Sequence, residues 1–224
     1  MNPLIIVLGI VIIVFLYYII QYYFFNSKSL AAKIYLKESP ADISSNIIIN
    51  PNSVIYTFGT WVYVNNFSTS TLLSYKNPTE TPLFSLKLGP STPKLTAEIK
   101  GASNTNISII TNNFPIQKWV HVLVSVDTLY ADCYLDGKLV ISKKLDYPIT
   151  NSPTSTPGIS FGQQTGTTNP DIYLAKVTRW DHPLDPQSVF TEYSAGNGLN
   201  NSDLSVGLLV ATEDANNTYP IYSN

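Results

Sequence analysis

Residues 119–140 read WVHVLVSVDTLYADCYLDGKLV, and this segment predicts two antiparallel strands joined by a tight turn. Its first half alternates, so valines at every second position share one strand face while Trp119, His121, Leu123 and Ser125 share the other. The pair Asp136-Gly137 follows the second run and accepts the positive φ angles of a two-residue type I′ turn. The segment therefore predicts a β-hairpin.

The same type of pattern continues over the rest of the domain. Short apolar or alternating runs recur from residue 46 onward, separated by breakers rich in Pro, Gly and Asn. One helix is predicted after Asp185, which can cap it, with Pro186 at its first position and Gly196 as its stop. We therefore expect residues 46–224 to form an all-β sandwich of two antiparallel sheets with one short helix.

The N-terminal segment has a different composition. Residues 4–25 read LIIVLGIVIIVFLYYIIQYYFF and carry no charge. As a helix they would be about 33 Å long, enough for a hydrocarbon core of about 30 Å. A cleaved signal peptide is the alternative, but no Lys or Arg precedes the run, and the run exceeds a normal signal-peptide core. The sequence predicts a transmembrane anchor over residues 1–26, with bilayer-facing residues that include Leu4, Phe15, Tyr17, Tyr22 and Phe25.

Residues 27–45 are interpreted as a juxtamembrane stalk, helical over Ser29–Leu36 and ended by Pro40. Three lysines follow the anchor and no basic side chain precedes it. Because cytosolic flanks of membrane spans are enriched in Lys and Arg, we expect a single-pass protein with its domain on the cytosolic side. Four N-x-S/T sequons argue for the opposite side, although an Asn-, Ser- and Thr-rich chain produces them by chance; they begin at Asn66, Asn106, Asn200 and Asn216.

Several segments carry a family resemblance when they are taken in chain order. They are Tyr56–Val64 with its tryptophan, Trp119–Val126 with the hairpin Cys133–Val140, Ile159–Gly162, and Val177–Leu184 before the helix. Over about residues 54–196 the chain resembles the laminin-G-like branch of the concanavalin A-like lectin/glucanase superfamily. The resemblance implies a jelly-roll sandwich, a fold that carries lectins, adhesion modules, hydrolases and structural parts alike.

The chain departs from that family in two places. Asp171-Ile-Tyr-Leu-Ala-Lys176 replaces the family's Gly-x-Ile-Asp element. No segment matches the family's calcium-ligand positions. Calcium-dependent glycan binding is therefore not expected from the resemblance alone.

The residues needed for catalysis are missing from the sequence. Hydrolases of this superfamily place their two carboxylates in a Glu-x-Asp-x-x-Glu motif, and the five glutamates of this chain have no such arrangement. His121 and His182 are isolated and lack zinc-ligand spacing, while Cys133 alternates with apolar residues and is predicted to be buried. We expect a protein that is not an enzyme and that uses no metal or cofactor.

The candidate ligand-facing residues are Tyr130, Asp132 and Tyr134. They alternate along one strand and so share a sheet face opposite Cys133, although an ordinary half-exposed sheet face is the alternative. Tyr63 is a further candidate, and the three tryptophans are assigned to the core, since large aromatic side chains dominate buried area. With 13 basic and 15 acidic residues and no basic run, nucleic acid is excluded as a partner.

Two functions remain. The first is a membrane-anchored structural or interaction protein whose partners are the lipid bilayer and other structural proteins. Short anchored proteins with this fold resemble minor capsid or membrane-associated components of large DNA viruses, which would place this chain between an internal virion membrane and the capsid. The alternative is a membrane-anchored lectin-like protein whose ligand is a glycan.

Overall fold

The computed structural model describes residues 8–17, 27–38, 42–76, 81–89, 91–150, 156–162 and 170–199. Its strands are numbered in chain order, and the helix of residues 8–17 is α1. The strands are β1 Ser27–Tyr35, β2 Tyr56–Val64, β3 Ser70–Lys76, β4 Phe84–Leu88, β5 Leu95–Lys100, β6 Thr105–Thr111, β7 Trp119–Val126, β8 Tyr130–Leu135, β9 Lys138–Lys144, β10 Gly158–Phe161 and β11 Ile172–Trp180; helix α2 is Pro186–Ser194.

Within the described residues the strands form two antiparallel sheets. One has six strands in the order β1-β11-β2-β7-β8-β9, and the other has five in the order β10-β3-β4-β5-β6. Alternate residues of each strand point inward and form one apolar core between the sheets. Phe58 of the six-stranded sheet stacks on Phe84 of the other at 4.9 Å between ring centroids. The predicted all-β fold of two antiparallel sheets is therefore confirmed.

The predicted hairpin is also confirmed. Asp136 and Gly137 have φ angles of 47° and 73°, as a type I′ turn requires, and they connect β8 to β9 with Leu135 paired to Lys138. Cys133 lies on the inward face of β8 and is buried, as expected from its apolar neighbours.

Helix α2 packs on the outer face of the six-stranded sheet. Asp185 caps it by accepting hydrogen bonds from the backbone N–H groups of Gln187 and Ser188, and Pro186 occupies the first turn, both as predicted. Beneath the helix a second, smaller core forms. It consists of Leu123, Tyr134, Trp180 and Val189, with Leu184 packed against it.

The stalk interpretation is wrong for residues 27–35. They form β1, the edge strand of the six-stranded sheet, and pair with β11 from Ser27 opposite Trp180 to Tyr35 opposite Tyr173. Ile34 is buried in the main core. The Leu-Ala-Ala-Lys sequence favours a helix locally, but pairing with the free edge of β11 and burial of one face outweigh that small preference.

The N-terminal residues are described only in part. Phe15 and Tyr17 lie on α1 and are exposed. Leu4, Tyr22 and Phe25 lie outside the described residues. Among the residues that the structure describes, no helix has the length and apolar character needed to cross a membrane.

Candidate functional site

Four aromatic side chains form a row across the outer face of the six-stranded sheet. Tyr35 of β1 pairs with Tyr173 of β11, Tyr173 pairs with Tyr63 of β2, and Tyr63 pairs with Trp119 of β7. Adjacent strands lie about 4.8 Å apart, so the row is about 14 Å wide. All four residues are partly exposed. We call Tyr35, Tyr173, Tyr63 and Trp119 the aromatic row.

The rings of the row contact one another closely. Tyr35 and Tyr173 stack at 4.2 Å between centroids, with only 4° between their planes. Tyr63 meets Tyr173 edge-on at 6.3 Å, and it meets Trp119 at 5.5 Å with a tilt of 50°. The Tyr173 ring thus lies between two other rings, with Lys33 Nζ 5.8 Å from its centroid. Its faces are already in contact with neighbours.

A polar cluster lies beside the β1 end of the row. Asp171 accepts hydrogen bonds from the Tyr35 hydroxyl at 3.1 Å, from Asn65 Nδ2 at 2.9 Å and from Asn66 Nδ2 at 3.5 Å. Burial, followed by hydrogen bonds to Tyr173 and Asp171, raises the pKa of Tyr35 above its usual range. The hydroxyl therefore remains protonated at neutral pH and keeps its donor role.

A second aromatic group connects the row to the end of α2. Trp61 and His121 are cross-strand partners on β2 and β7, and Tyr193 of α2 stacks over Trp61 at 5.6 Å and lies 6.1 Å from His121. The buried nitrogens Trp61 Nε1, Trp119 Nε1 and His121 Nδ1 have no hydrogen-bond partner within the described part of the chain. Buried polar groups are rarely left unpaired in native proteins, so the burial of these nitrogens carries a cost in stability.

The environment of His121 is strongly apolar. Burial first, and then the positive charge of Lys176, lower the pKa of His121 to about 4. The imidazole is therefore neutral at physiological pH. Lys176 itself pairs with Glu192 of α2 at 3.1 Å, which holds the helix against β11.

The predicted ligand-facing residues are only partly available. Tyr130 is 47% exposed, and Asp132 is half-buried on the same face. Tyr134 is only 1% exposed because α2 covers it together with Leu123 and Trp180. Its assignment as a ligand-facing residue is therefore wrong, and the structure does not bring these three residues together as an open site.

The aromatic row itself was only partly visible in the sequence. Tyr63 was a candidate, and the alternation of β2 and β7 could have placed Trp119 beside it. The sequence assigns Trp119 to the core, but its side chain is partly exposed, whereas Trp61 and Trp180 are buried as expected. Tyr35 was assigned to a stalk, and no local signal places Tyr173 next to it.

The described residues offer no evident catalytic or metal group. No three His, Cys, Asp or Glu side chains within the described ranges come together as a metal site. Glu98 pairs with Lys87 at 2.7 Å on the five-stranded sheet, far in the fold from Glu192 on the opposite outer face. Burial raises the pKa of the Cys133 thiol to about 12, which makes it a poor nucleophile.

Comparison with known proteins identifies one matching family model and several solved structures with a similar fold. The laminin-G-like family model described as the concanavalin A-like lectin/glucanases superfamily matches residues 38–190. No curated protein sequence matches the chain significantly. The fold is similar to those of three solved binding domains at identities of 14–15%, and this similarity concerns the fold alone.

The first of these is the binding domain of botulinum neurotoxin serotype G, with a TM-score of 0.51, 15% identity and 64% of this chain covered. The second is the binding domain of Paraclostridial Mosquitocidal Protein 1, with a TM-score of 0.55, 14% identity and 75% covered. The third is the binding domain of botulinum neurotoxin DC in complex with rat synaptotagmin II, with a TM-score of 0.52, 14% identity and 68% covered. The chain spans 37%, 47% and 38% of the length of these structures, respectively.

Proposed function

Because the chain belongs to the concanavalin A-like lectin/glucanase superfamily, we propose that it is a non-catalytic binding domain that docks a protein partner through its aromatic row. The observation that carries the proposal is the row itself: four partly exposed rings side by side on four neighbouring strands. Tyr and Trp are the residues most enriched at the energetic centres of protein interfaces, since they contribute large contact areas at low entropic cost.

Ring geometry favours a protein over a sugar as the ligand. A sugar ring stacks on a free aromatic face, but the Tyr173 ring lies between Tyr35 and Tyr63. What remains for a partner is an uneven surface of ring edges next to tyrosine hydroxyl groups. Such a mixed surface suits protein side chains and backbone carbonyls, which offer both apolar contacts and hydrogen-bond acceptors.

The proposal includes a membrane tether formed by residues 1–26. The apolar, uncharged run of residues 4–25 supports it. The lysines that follow the run support a cytosolic orientation. A tether raises the effective concentration of a docking surface, so a modest row of contacts suffices for stable assembly. The proposed setting is a membrane-lined assembly, the internal membrane and capsid of a large DNA virus, in which the domain is a minor structural component.

Glycan binding is the second candidate function. The observation in its favour is the cluster of Asp171, Asn65 and Asn66 at one end of the row. Carboxylate and amide groups beside aromatic rings can hydrogen-bond sugar hydroxyls, and the superfamily includes lectins. Protein docking, the first candidate, has a parallel in one domain of similar fold that is seen in complex with rat synaptotagmin II.

The two candidates are separated by matched tyrosine variants of the full chain. Tyr63→Ser removes a ring from the row, whereas Tyr130→Ser removes an exposed ring from the same outer face outside the row. A photo-crosslinking residue at each position is activated in the native membrane assembly, and crosslinked peptides are identified by mass spectrometry. We expect a recurrent protein crosslink from position 63 and none from position 130.

A glycan array with the detergent-solubilised full chain provides the opposing outcome. Suppose that the chain binds a specific sugar, that Tyr63→Ser loses this binding and that Tyr130→Ser keeps it. If no protein crosslink forms at position 63 either, the result supports glycan binding and contradicts protein docking. Absence of a protein crosslink at position 63, together with sugar binding that Tyr63→Ser leaves unchanged, would remove the row as the site.

A further inference from the structure

The sandwich begins almost directly at the apolar run. The run ends at Phe25, and β1 begins at Ser27, so a single residue, Asn26, separates them. One residue spans less than about 4 Å even when extended. If residues 1–26 are the proposed tether, the end of the sandwich at which β1 starts must lie next to the bilayer.

Strand register identifies what lies at that end. Ser27 pairs with Trp180, Trp180 with Thr57, and Thr57 with Ser125. The β7–β8 turn, which contains Leu129, follows Ser125 closely. Residues 47–53 are joined to the same end because Arg179 donates from Nη1 to the carbonyl of Ile49 at 2.6 Å.

Four large apolar or aromatic side chains are exposed at this end. Ile47, Ile49, Leu129 and Tyr130 are exposed by 45%, 37%, 44% and 47%, respectively. We call these four residues the β1-start surface. Lys144 is paired with Tyr130 across the β8–β9 ladder and adds a cation beside them. Branched aliphatic, tyrosine and lysine side chains together are the combination that favours a membrane–water interface.

Of the acidic groups nearby, Asp146 is paired with a cation, and Asp181 and Asp127 are held in place by hydrogen bonds. Asp146 pairs with Lys143 at 3.0 Å. Asp181 contacts His182 Nδ1 at 3.0 Å and accepts a hydrogen bond from Asn50. Asp127 accepts a hydrogen bond from the Thr128 hydroxyl at 3.1 Å.

We propose that the β1-start surface rests on the lipid bilayer and that the aromatic row is thereby held at the opposite end of the sandwich. The nine residues of β1 run from Ser27 to Tyr35, so the row stands as much as about 26 Å from the bilayer-facing end. The β1-start surface contacts lipid, and the aromatic row remains free to bind a protein partner away from the membrane. This inference rests on the tether in the proposed function.

Single-cysteine labelling of the full chain tests this orientation. The native Cys133 is buried, and its raised pKa leaves it unreactive toward thiol labels at neutral pH. Leu129→Cys and Ile116→Cys are matched positions, with 44% and 47% exposure of the native side chains. Ile116 lies at the row end, because the neighbouring Gln117 donates from its backbone N–H to the carbonyl of Val64.

Each variant is labelled with an environment-sensitive fluorophore and reconstituted into phosphatidylcholine vesicles that contain lipids with a nitroxide on the headgroup. We expect the label at position 129 to be quenched at least about twofold more than the label at position 116, since interfacial side chains insert about 5–10 Å into the headgroup boundary. Vesicles without nitroxide lipid give the reference intensity for each label.

Flotation of the same samples distinguishes the two possible failures. A chain that does not float with vesicles contradicts the proposed tether and the orientation with it. A chain that floats but shows equal quenching at the two positions, or stronger quenching at position 116, overturns only the orientation. Protein docking at the row is measured separately by the crosslink from position 63.

Discussion

At the scale of single residues, His121 is the clearest case of a side chain whose chemistry is changed by its neighbours. It lies on the outer sheet face, yet Tyr193 and Trp61 cover it, and it is 4% exposed. Lys176 repels a proton on its ring. The Asp136 carboxylate accepts from the His121 backbone N–H at 2.9 Å and so orients the main chain there.

The lowered pKa of His121 predicts a pH-dependent stability. Its pKa is about 4 in the folded protein, against about 6.5 for an unperturbed histidine. The unfolded chain therefore binds the proton first, and the free energy of unfolding should fall by up to about 3 kcal/mol as the pH drops from about 6.5 to 4. Urea titrations at pH 7, 5.5 and 4 measure this loss.

The control for this prediction is His121→Gln, which cannot titrate and keeps a polar group of similar size. Its unfolding free energy should change less over the same pH window. The carboxylates with lowered pKa, Asp181 and Asp185, contribute mainly below their ordinary values near 3.8, so they do not explain a loss above pH 4.5. The same slope in the variant and the native chain would contradict the assignment to His121.

At the scale of elements, the β8–β9 hairpin and α2 depend on each other. Gly137 has a φ of 73°, and a Cβ built on it would lie 2.9 Å from Tyr193 Cδ1. The turn is therefore a glycine position for two reasons, its backbone conformation and its contact with the helix. Tyr193 in turn covers Trp61 and His121 next to the aromatic row.

Gly137→Ala and Gly196→Ala separate these two reasons. Both glycines have a φ of 73°, but a Cβ at Gly196 would meet no atom within 4 Å. Each substitution should cost about 1 kcal/mol from the positive φ. Gly137→Ala should cost more in thermal denaturation, because it also displaces Tyr193. An equal loss in the two variants would show that the helix contact contributes nothing to stability.

At the scale of the whole molecule, β1 is the first strand of the sandwich after the proposed tether. It covers the free edge of β11, buries Ile34, and supplies Tyr35 to the aromatic row. The segment between the apolar run and the domain is thus part of the fold.

Two truncations test the place of β1 in the fold. Removal of residues 1–26 should release a soluble domain that unfolds cooperatively in urea. Removal of residues 1–35 should lower the unfolding free energy by at least about 2 kcal/mol, because burial of Ile34 and covering of the β11 edge are lost. Equal stability of the two proteins would exclude β1 from the folded unit, and pelleting of the first with membranes after a salt wash would contradict a single anchor.

The sequence by itself determined those structural elements of this protein that depend only on interactions between residues close together in the chain. The alternation of Trp119–Val126, the Asp136-Gly137 turn and the Asp185-Pro186 helix start each depend on neighbouring residues, and the structure confirms all three. Because such patterns also recur in a family-specific order, the all-β sandwich could be predicted. Burial of Cys133 followed from alternation on a strand in the same way.

Only the tertiary structure decided which side chains remain accessible and which ones meet. Tyr134 obeys the same alternation as Tyr130, but α2 packs back over it and removes it from solvent. The rings of the aromatic row come from strands as far apart in the sequence as Tyr35 and Tyr173. Their proximity depends on strand order, register and the inclusion of β1, which are set by long-range pairing and burial, and local propensity contains no information about them.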